Sequence, residues 1–194
     1  MTDPVEINPI TLEDIIEMEG LDEYKDMEIV DGVWVKKYKD EAMSIPHGQF
    51  GGRLYVALWN HVDANQLGVV YMADTIFILH ITEQGIRKMR KPDTAFVAAN
   101  RVIPPEEGRY YQQAPDLAVE IISPSERIGI VRSKLRDYFT YGTKQVWLVH
   151  TGDKEITVHH SFDEYKVYQV GDTLPGGDIL PGFALDVGFV FRGI

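Results

Sequence analysis

Asp93 stands directly after Pro92 and a basic run of Arg87, Lys88, Arg90 and Lys91. If residues 86–97 form a strand, side chains alternate between faces and Asp93 shares its face with Ala95 and Val97. Residues 116–122 make a second, nearly continuous apolar strand interrupted by Glu120. By the same alternation Asp116, Ala118, Glu120 and Ile122 share one face, and Leu117, Val119 and Ile121 the other. An ionised carboxylate among such neighbours requires a cation, a metal or hydrogen-bond donors. Lys134 lies three residues beyond Val131 and four before Tyr138, inside the apolar stripe of the following helix. Arg132 and Arg136 fall on a wetter flank. Asp93 and Glu120 on adjacent strands supply two oxygen ligands for a hard cation such as Mg²⁺. Such a cation orients water and stabilises charge at phosphorus, while a lysine beside it activates the water or neutralises the phosphate. Each residue alone has a plainer explanation. A lone strand glutamate is more often salt-bridged or solvated, Asp93 can cap a turn, and a lysine on a buried face can snorkel. The ordered combination carries the reading.

The elements that must position these residues follow from periodicity. Thr11 with an acid three residues on marks a helix start, and that helix should run to about Glu19. Residues 27–30 and 33–38 flank Asp31 and Gly32, a two-residue hairpin signal. Pro46 opens a second helix, with Phe50, Leu54, Ala57, Leu58 and Val62 at three and four spacing, stopping near Gly68. Residues 69–80 and 86–97 each read as one strand, with Pro92 tolerated at an edge or bulge. Residues 100–114 are polar and read as an exposed loop that includes Tyr110 and Tyr111. Residues 126–141 are helical, 145–150 a buried strand, and 155–160, 164–170 and 183–191 short strands. This order predicts an α+β domain with an α/β-type core. Trp34, Trp59 and Trp147 are expected in core or hairpin packing. His159 and His160 are adjacent on a strand, so their rings oppose and share no metal.

Length and composition bound the rest. A chain of 194 residues suits one domain, 1–194. No run of about 18 apolar residues exists, so no membrane span is expected, and the N-terminus lacks a signal-peptide pattern. Cysteine is absent, which excludes disulfides, thiolate ligands and Cys nucleophiles and fits a cytoplasmic location. The net charge of −11 argues only weakly against an anionic partner. Residues 1–31 hold 11 acidic side chains against Lys25 alone, so the remainder is almost neutral. Phosphate binding depends on local potential, and Arg87, Lys88, Arg90 and Lys91 form a candidate nucleic-acid contact. The plainer alternative is a solvated strand edge. No G-x-S-x-G, H-E-x-x-H, P-loop or Rossmann glycine pattern occurs.

Three segments together resemble the Uma-two family of restriction endonucleases, a branch of the PD-(D/E)XK nuclease superfamily. They are KPDTAFV, APDLAVEIISPS and KLRDYFTYGTKQVWLV. MEIVDGVWV is similar to the family's opening hairpin, PHGQFGGRL to its first core helix and LPGFALDV to its closing segment. The resemblance implies a restriction-endonuclease-like αβββαβ sheet core, with the N-terminal helix and hairpin before it and short strands after it. It also implies Mg²⁺ or Mn²⁺ dependence and phosphodiester hydrolysis. Asp93 matches the motif aspartate and Glu120 the motif glutamate. The superfamily's usual lysine position, two residues after the acid, is Ile122 here; the family moves that lysine to the next helix, where Lys134 matches. An acidic residue common four positions earlier is replaced by Ile130. Glu28 and His47 match recurrent positions, Glu28 as an additional carboxylate and His47 as a base or a cap.

The leading expectation is a metal-dependent endonuclease acting on DNA, as a homodimer that addresses two strands. Ile122 and Ile130 leave open an inactive DNA-binding or assembly module with the nuclease fold. Hydrolysis of a small phosphoester or a glycoside by two carboxylates is a third reading. The basic run beside Asp93 favours an anionic polymer over a neutral sugar.

Overall fold

The fold follows from a computed structural model that describes residues 8–18, 20–37, 45–104 and 106–193. The expected ends of the first helix at Glu19 and of the hairpin at Tyr38, and Pro105 of the polar loop, lie outside the described residues. Helix α1 (Leu12–Met18) opens on a reciprocal cap. Thr11 Oγ1 accepts from the Asp14 amide at 3.2 Å, and Asp14 Oδ2 accepts from the Thr11 amide at 2.7 Å. Strands β1 (Met27–Val30) and β2 (Val33–Lys36) pair antiparallel. Asp31 and Gly32 both take positive φ, 54° and 78°, as a right-twisted two-residue turn requires.

Helix α2 (Ile45–Ala64) buries Phe50, Leu54, Leu58 and Val62. It ends before Gly68, because Gln66 takes the left-handed conformation at φ 53° and the Leu67 amide bonds back to Val62 O. Gly68 instead begins strand β3 (Gly68–Met72), where a Cβ would stand 2.0 Å from Val97 O. Only glycine permits that close backbone approach.

Two expected strands are each broken in two. Residues 69–80 divide into β3 and β4 (Phe77–Thr82), separated at Asp74 with φ 69°. Residues 86–97 divide into β5 (Gly85–Arg90) and β6 (Thr94–Ala98), separated at Pro92. Pro92 has no amide to continue a ladder, so the chain leaves one sheet there and enters another. β4 and β5 belong to a four-stranded sheet of order β2-β1-β5-β4. β3 and β6 join β7 (Leu117–Ile122), β8 (Gln145–His150), β9 (Glu155–His159) and β10 (Tyr165–Gln169) in a six-stranded sheet of order β10-β9-β8-β7-β6-β3. Helix α3 (Ile128–Thr140) makes the crossover between β7 and β8, the parallel pair. Read along the chain, α2, β3, β6, β7, α3 and β8 are the αβββαβ core, with β4 and β5 an excursion into the second sheet.

The closing segment departs further from expectation. Residues 183–191 form β12 (Ala184–Asp186), paired with β11 (Thr173–Pro175), and then a short helix α4 (Val187–Val190) rather than one strand. Asp186 stops the strand by capping that helix, its carboxylate accepting from Gly188 N at 2.8 Å.

The central strands of the six-stranded sheet are buried on both faces. Leu117, Val119 and Ile121 pack with Phe50, Leu54, Leu58 and Trp147, while Ala118 and Ile122 pack with Val131, Leu135 and Tyr138. Tyr111 is buried against Phe77 in a stacked pair and anchors the loop there, while Glu106, Glu107, Gly108 and Arg109 are exposed. Trp147 is fully buried and Trp34 packs edge-on to Tyr24, but Trp59 is 46% exposed, outside any core. Strand β5 is internal to its sheet, which removes the solvated-edge reading of the basic run. Among the described residues no helix is long and apolar enough to cross a membrane.

Candidate active site

The register of β6 on β7 sets Thr94 opposite Val119 and Ala95 opposite Ala118. One step further along, Asp93 falls beside Glu120. Its amide donates to Val119 O at 3.0 Å and its Oδ2 accepts from Ile121 N at 2.7 Å, so Asp93 brackets Glu120 on the neighbouring strand. Both carboxylates face α3. Lys134 Nζ donates to Glu120 Oε2 at 2.7 Å and Tyr138 Oη donates to Glu120 Oε1 at 2.6 Å. The two donors are one helical turn apart, the spacing that places i and i+4 on one face. Lys134, Asp93 and Glu120 are all buried.

Glu28, on β1, stands behind these residues in the four-stranded sheet. Its Oε1 accepts from the Lys91 amide at 3.0 Å and its Oε2 from Arg90 at 2.6 Å. Arg90 also donates to Asp137 of α3, which pairs in turn with Lys88 at 3.0 Å. The basic run is therefore divided. Arg90 and Lys91 turn inward, Lys91 Nζ donating to Lys25 O at 2.9 Å. Arg87 and Lys88 line an open cavity of about 530 Å³ with Asp31, His80 and Tyr141. His47, in the first turn of α2, brings Nε2 within 3.3 Å of Asp93 Oδ2.

Two contributors were not singled out from the sequence. Lys37 donates to Asp93 Oδ1 at 2.8 Å with its side chain fully buried, and Asp137 anchors Arg90. A signal for Lys37 exists in the hairpin. Val35 pairs with Glu28, and Lys37 is two residues further on the same face.

Electrostatics tie these groups together. Burial pushes the Asp93 carboxyl up, but the Lys37 charge, with His47 and Lys134 adding, outweighs it and holds Asp93 well below the ordinary aspartate range. For Glu120 burial dominates. Lys134 offsets part of it while the charges of Asp93 and Glu28 add to it, leaving its carboxyl above the ordinary value. At Glu28 burial is outweighed by Arg90, Lys134 and Lys37, and the carboxyl is held low. Burial disfavours the Lys134 ammonium, yet Glu120 and Glu28 together more than compensate and keep it protonated.

A family model described as "Putative restriction endonuclease", Uma2, matches residues 12–188. The chain belongs to the Uma2 family. Among solved structures, a protein described as a putative nuclease belonging to DUF820, from Anabaena variabilis, superposes with a TM-score of 0.72 at 18% identity. The match covers 94% of this chain and 98% of that one, and at such identity it speaks for the shared fold. No curated protein matches the sequence. The Uma2 match contains Asp93, Glu120, Lys134, Glu28, His47 and Lys37, so the whole cluster lies within the family's extent. Ile122, at the superfamily's usual lysine position, is buried against α3, and the ammonium that reaches Glu120 comes from Lys134.

Proposed function

We propose that this Uma2 protein is a metal-dependent endonuclease that hydrolyses phosphodiester bonds in DNA, with Asp93 and Glu120 as ligands for Mg²⁺ or Mn²⁺. The observation that carries the reading is the pairing of two buried carboxylates, side by side on adjacent strands, with Lys134 2.7 Å from one of them. The donor set suits a hard divalent ion. It offers carboxylate oxygens rather than sulfur, and two such ligands leave room for the waters that Mg²⁺ retains. Among the described residues no group of three or more His, Asp or Glu side chains is gathered to hold a metal, so the proposed ion rests on Asp93 and Glu120 alone. A divalent ion bound there supplies Lewis-acid stabilisation of the charge that builds on the phosphate.

The protein's own groups do the remaining work. Ile121 N and Val119 O fix Asp93 through one donated and one accepted hydrogen bond, so its carboxylate does not rotate. Tyr138 fixes Glu120 in the same way. Lys134, held cationic by Glu120, donates hydrogen bonds and charge to a phosphate oxygen and to the attacking water. Glu28 tethers Arg90 and thereby holds α3, with Lys134 on it, against the second sheet. His47, with Nε2 3.3 Å from Asp93 Oδ2, is the candidate proton acceptor in this set. A homodimer, with one such site per strand of a duplex, and a cytoplasmic location complete the proposal.

The test is nicking of supercoiled plasmid in Mg²⁺ or Mn²⁺, beside Asp93→Ala, Glu120→Ala and Lys134→Ala. Metal-dependent nicking that disappears in all three establishes the assignment. Nicking that survives Lys134→Ala keeps the nuclease and removes the lysine. No cleavage of duplex, single-stranded DNA or RNA, with no metal bound, turns the reading to an inactive nuclease-fold module.

A further inference from the structure

The open cavity that Arg87 and Lys88 line also has an aromatic wall. His80 of β4 and Tyr141, at the end of α3, stack with 5.0 Å between ring centroids and 25° between planes. Tyr141 Oη lies 3.1 Å from His80 Nδ1, so each ring fixes the other. The charged lining is balanced, Asp31 and Glu83 against Arg87 and Lys88. Lys88 is already engaged, reaching Asp31 at 3.2 Å and the buried Asp137 at 3.0 Å. Arg87 differs. Among the described residues its side chain makes no hydrogen bond or ion pair, although two carboxylates line the same cavity. The Gly32 amide donates to Arg87 O at 3.0 Å, and a Cβ on Gly32 would collide with the guanidinium, so the hairpin glycine seats this side chain. Thr82 is spent within its own turn, accepting from the Gln84 amide at 3.1 Å. The exposed Gln84 side chain adds one donor group and one acceptor.

An aromatic wall, donors beside acceptors and no net charge suit a nucleobase better than a phosphate, because a base has a flat π face and an edge that carries both donors and acceptors. The volume of about 530 Å³ falls within the range of sites for small ligands. Helix α3 sets the distance to the catalytic cluster. Tyr141 is seven residues beyond Lys134 at nearly the same helical phase, roughly 10 Å along the axis. A duplex strand advances about 3.4 Å per nucleotide, so that span corresponds to about three nucleotides. We propose that this cavity is a nucleobase subsite, which takes one unpaired base about three nucleotides from the bond that is cut. The base lies against His80 and Tyr141, and its edge meets Arg87 and Gln84. A paired base reaches the cavity only by being flipped out of its stack, so strands with an unpaired base at that distance are preferred. The proposal rests on the nuclease reading and goes beyond it by naming the part of the substrate that is recognised.

Fluorescence of 2-aminopurine, a base analogue dimmed by stacking, tests it on the full chain in EDTA, where nothing is cleaved. The probes are a single strand carrying one 2-aminopurine, the same strand fully paired, and the free nucleoside. The single strand should be quenched and should bind about tenfold more tightly than the duplex, the order that one base stack contributes. Tyr141→Leu, which keeps the apolar packing and removes the ring, should lose about that factor, and Arg87→Gln should weaken the single strand in the same direction. Arg136→Gln removes an exposed charge over Phe162, outside the cavity, and should leave the quenching unchanged. Should Tyr141→Leu fail to fold, Arg87→Gln carries the test, since Arg87 belongs to none of the apolar clusters. Equal quenching and affinity in native and cavity variants overturns the subsite, whatever the plasmid nicking shows. Binding of the free nucleoside with no gain for the strand overturns its assignment to the substrate. Quenching that is lost in the cavity variants, in a protein that nicks no plasmid, keeps the nucleobase pocket and removes the nuclease reading.

Discussion

Glu120 is the residue on which the site turns, because its two oxygens are each held by a buried donor from one face of α3. Removing either donor leaves an ionised oxygen with no solvent to replace it. Lys134→Ala should abolish cleavage and also cost about 3 kcal/mol of stability, the order seen when one partner of a buried ion pair is deleted. Lys134→Met, which fills the space and removes only the charge, should lose activity as completely, so plasmid nicking and chemical denaturation of the two variants together separate chemistry from packing. Tyr138→Phe removes one hydrogen bond at 2.6 Å to Glu120 and should cost about 1–2 kcal/mol, read as a lower denaturation midpoint at unchanged m-value. Arg90 shows why residue type alone misleads. In sequence it belongs to a basic run suited to phosphate, yet its guanidinium is buried between Glu28 and Asp137.

At the scale of elements, two forces hold the site's geometry. The apolar one is α2 lying on the six-stranded sheet through Phe50, Leu54 and Leu58, each fully buried. Leu54→Ala should cost about 2–5 kcal/mol, measured by denaturant titration, since the surrounding helix and sheet close only partly over the cavity. The polar one is Asp116, at the point where β7 begins. It accepts from the Ala98 amide at 2.9 Å and pairs with Arg101 and Lys144, tying the end of β6 to the turn that enters β8. Burial works against its charge, but the Ala98 amide, Lys144 and Arg101 outweigh it and hold its carboxyl below the ordinary value. A depressed carboxyl contributes stability that is complete above the unfolded aspartate range, around pH 4, and is lost as pH falls through the folded value. Asp116→Asn should therefore lower stability at pH 7 and flatten its acid dependence. A denaturation series from pH 7 to pH 3 that shows parallel curves for the two proteins would refute this.

For the whole molecule, the two sheets meet where the chain crosses between them, at the turn after β3 and at Pro92. The candidate site sits on that seam: Asp93 and Glu120 come from one sheet, Glu28 and Arg90 from the other, and α3 spans both. Chelation of divalent ions with EDTA should stop cleavage, and added Mn²⁺ should restore it with little change in fold, as monitored by circular dichroism, because the buried lysines already neutralise the carboxylates. A structural metal would behave differently, its removal unfolding the chain.

The sequence by itself determined which face of its own element Asp93, Glu120 and Lys134 each occupy. Strand alternation and helical stripes are local periodicities, and each of the three residues sits at a definite phase of one. The hairpin at Asp31 and Gly32 and the cap at Thr11 were legible from local turn and capping signals, and the αβββαβ order was implied by the resemblance to the Uma-two family. Only the tertiary structure decided that two apparently continuous strands are four, because turn residues such as Asp74 and Pro92 mark a change of direction without saying which sheet receives the next segment. The same limit hid the contacts that complete the site. Lys37 meets Asp93 across 56 residues and Arg90 meets Glu28 across 62. No periodicity spans such separations. What joins those residues is the packing of two sheets against one helix, and buried charge then selects the partners, since a lysine or arginine without solvent is stable only where the fold places a carboxylate.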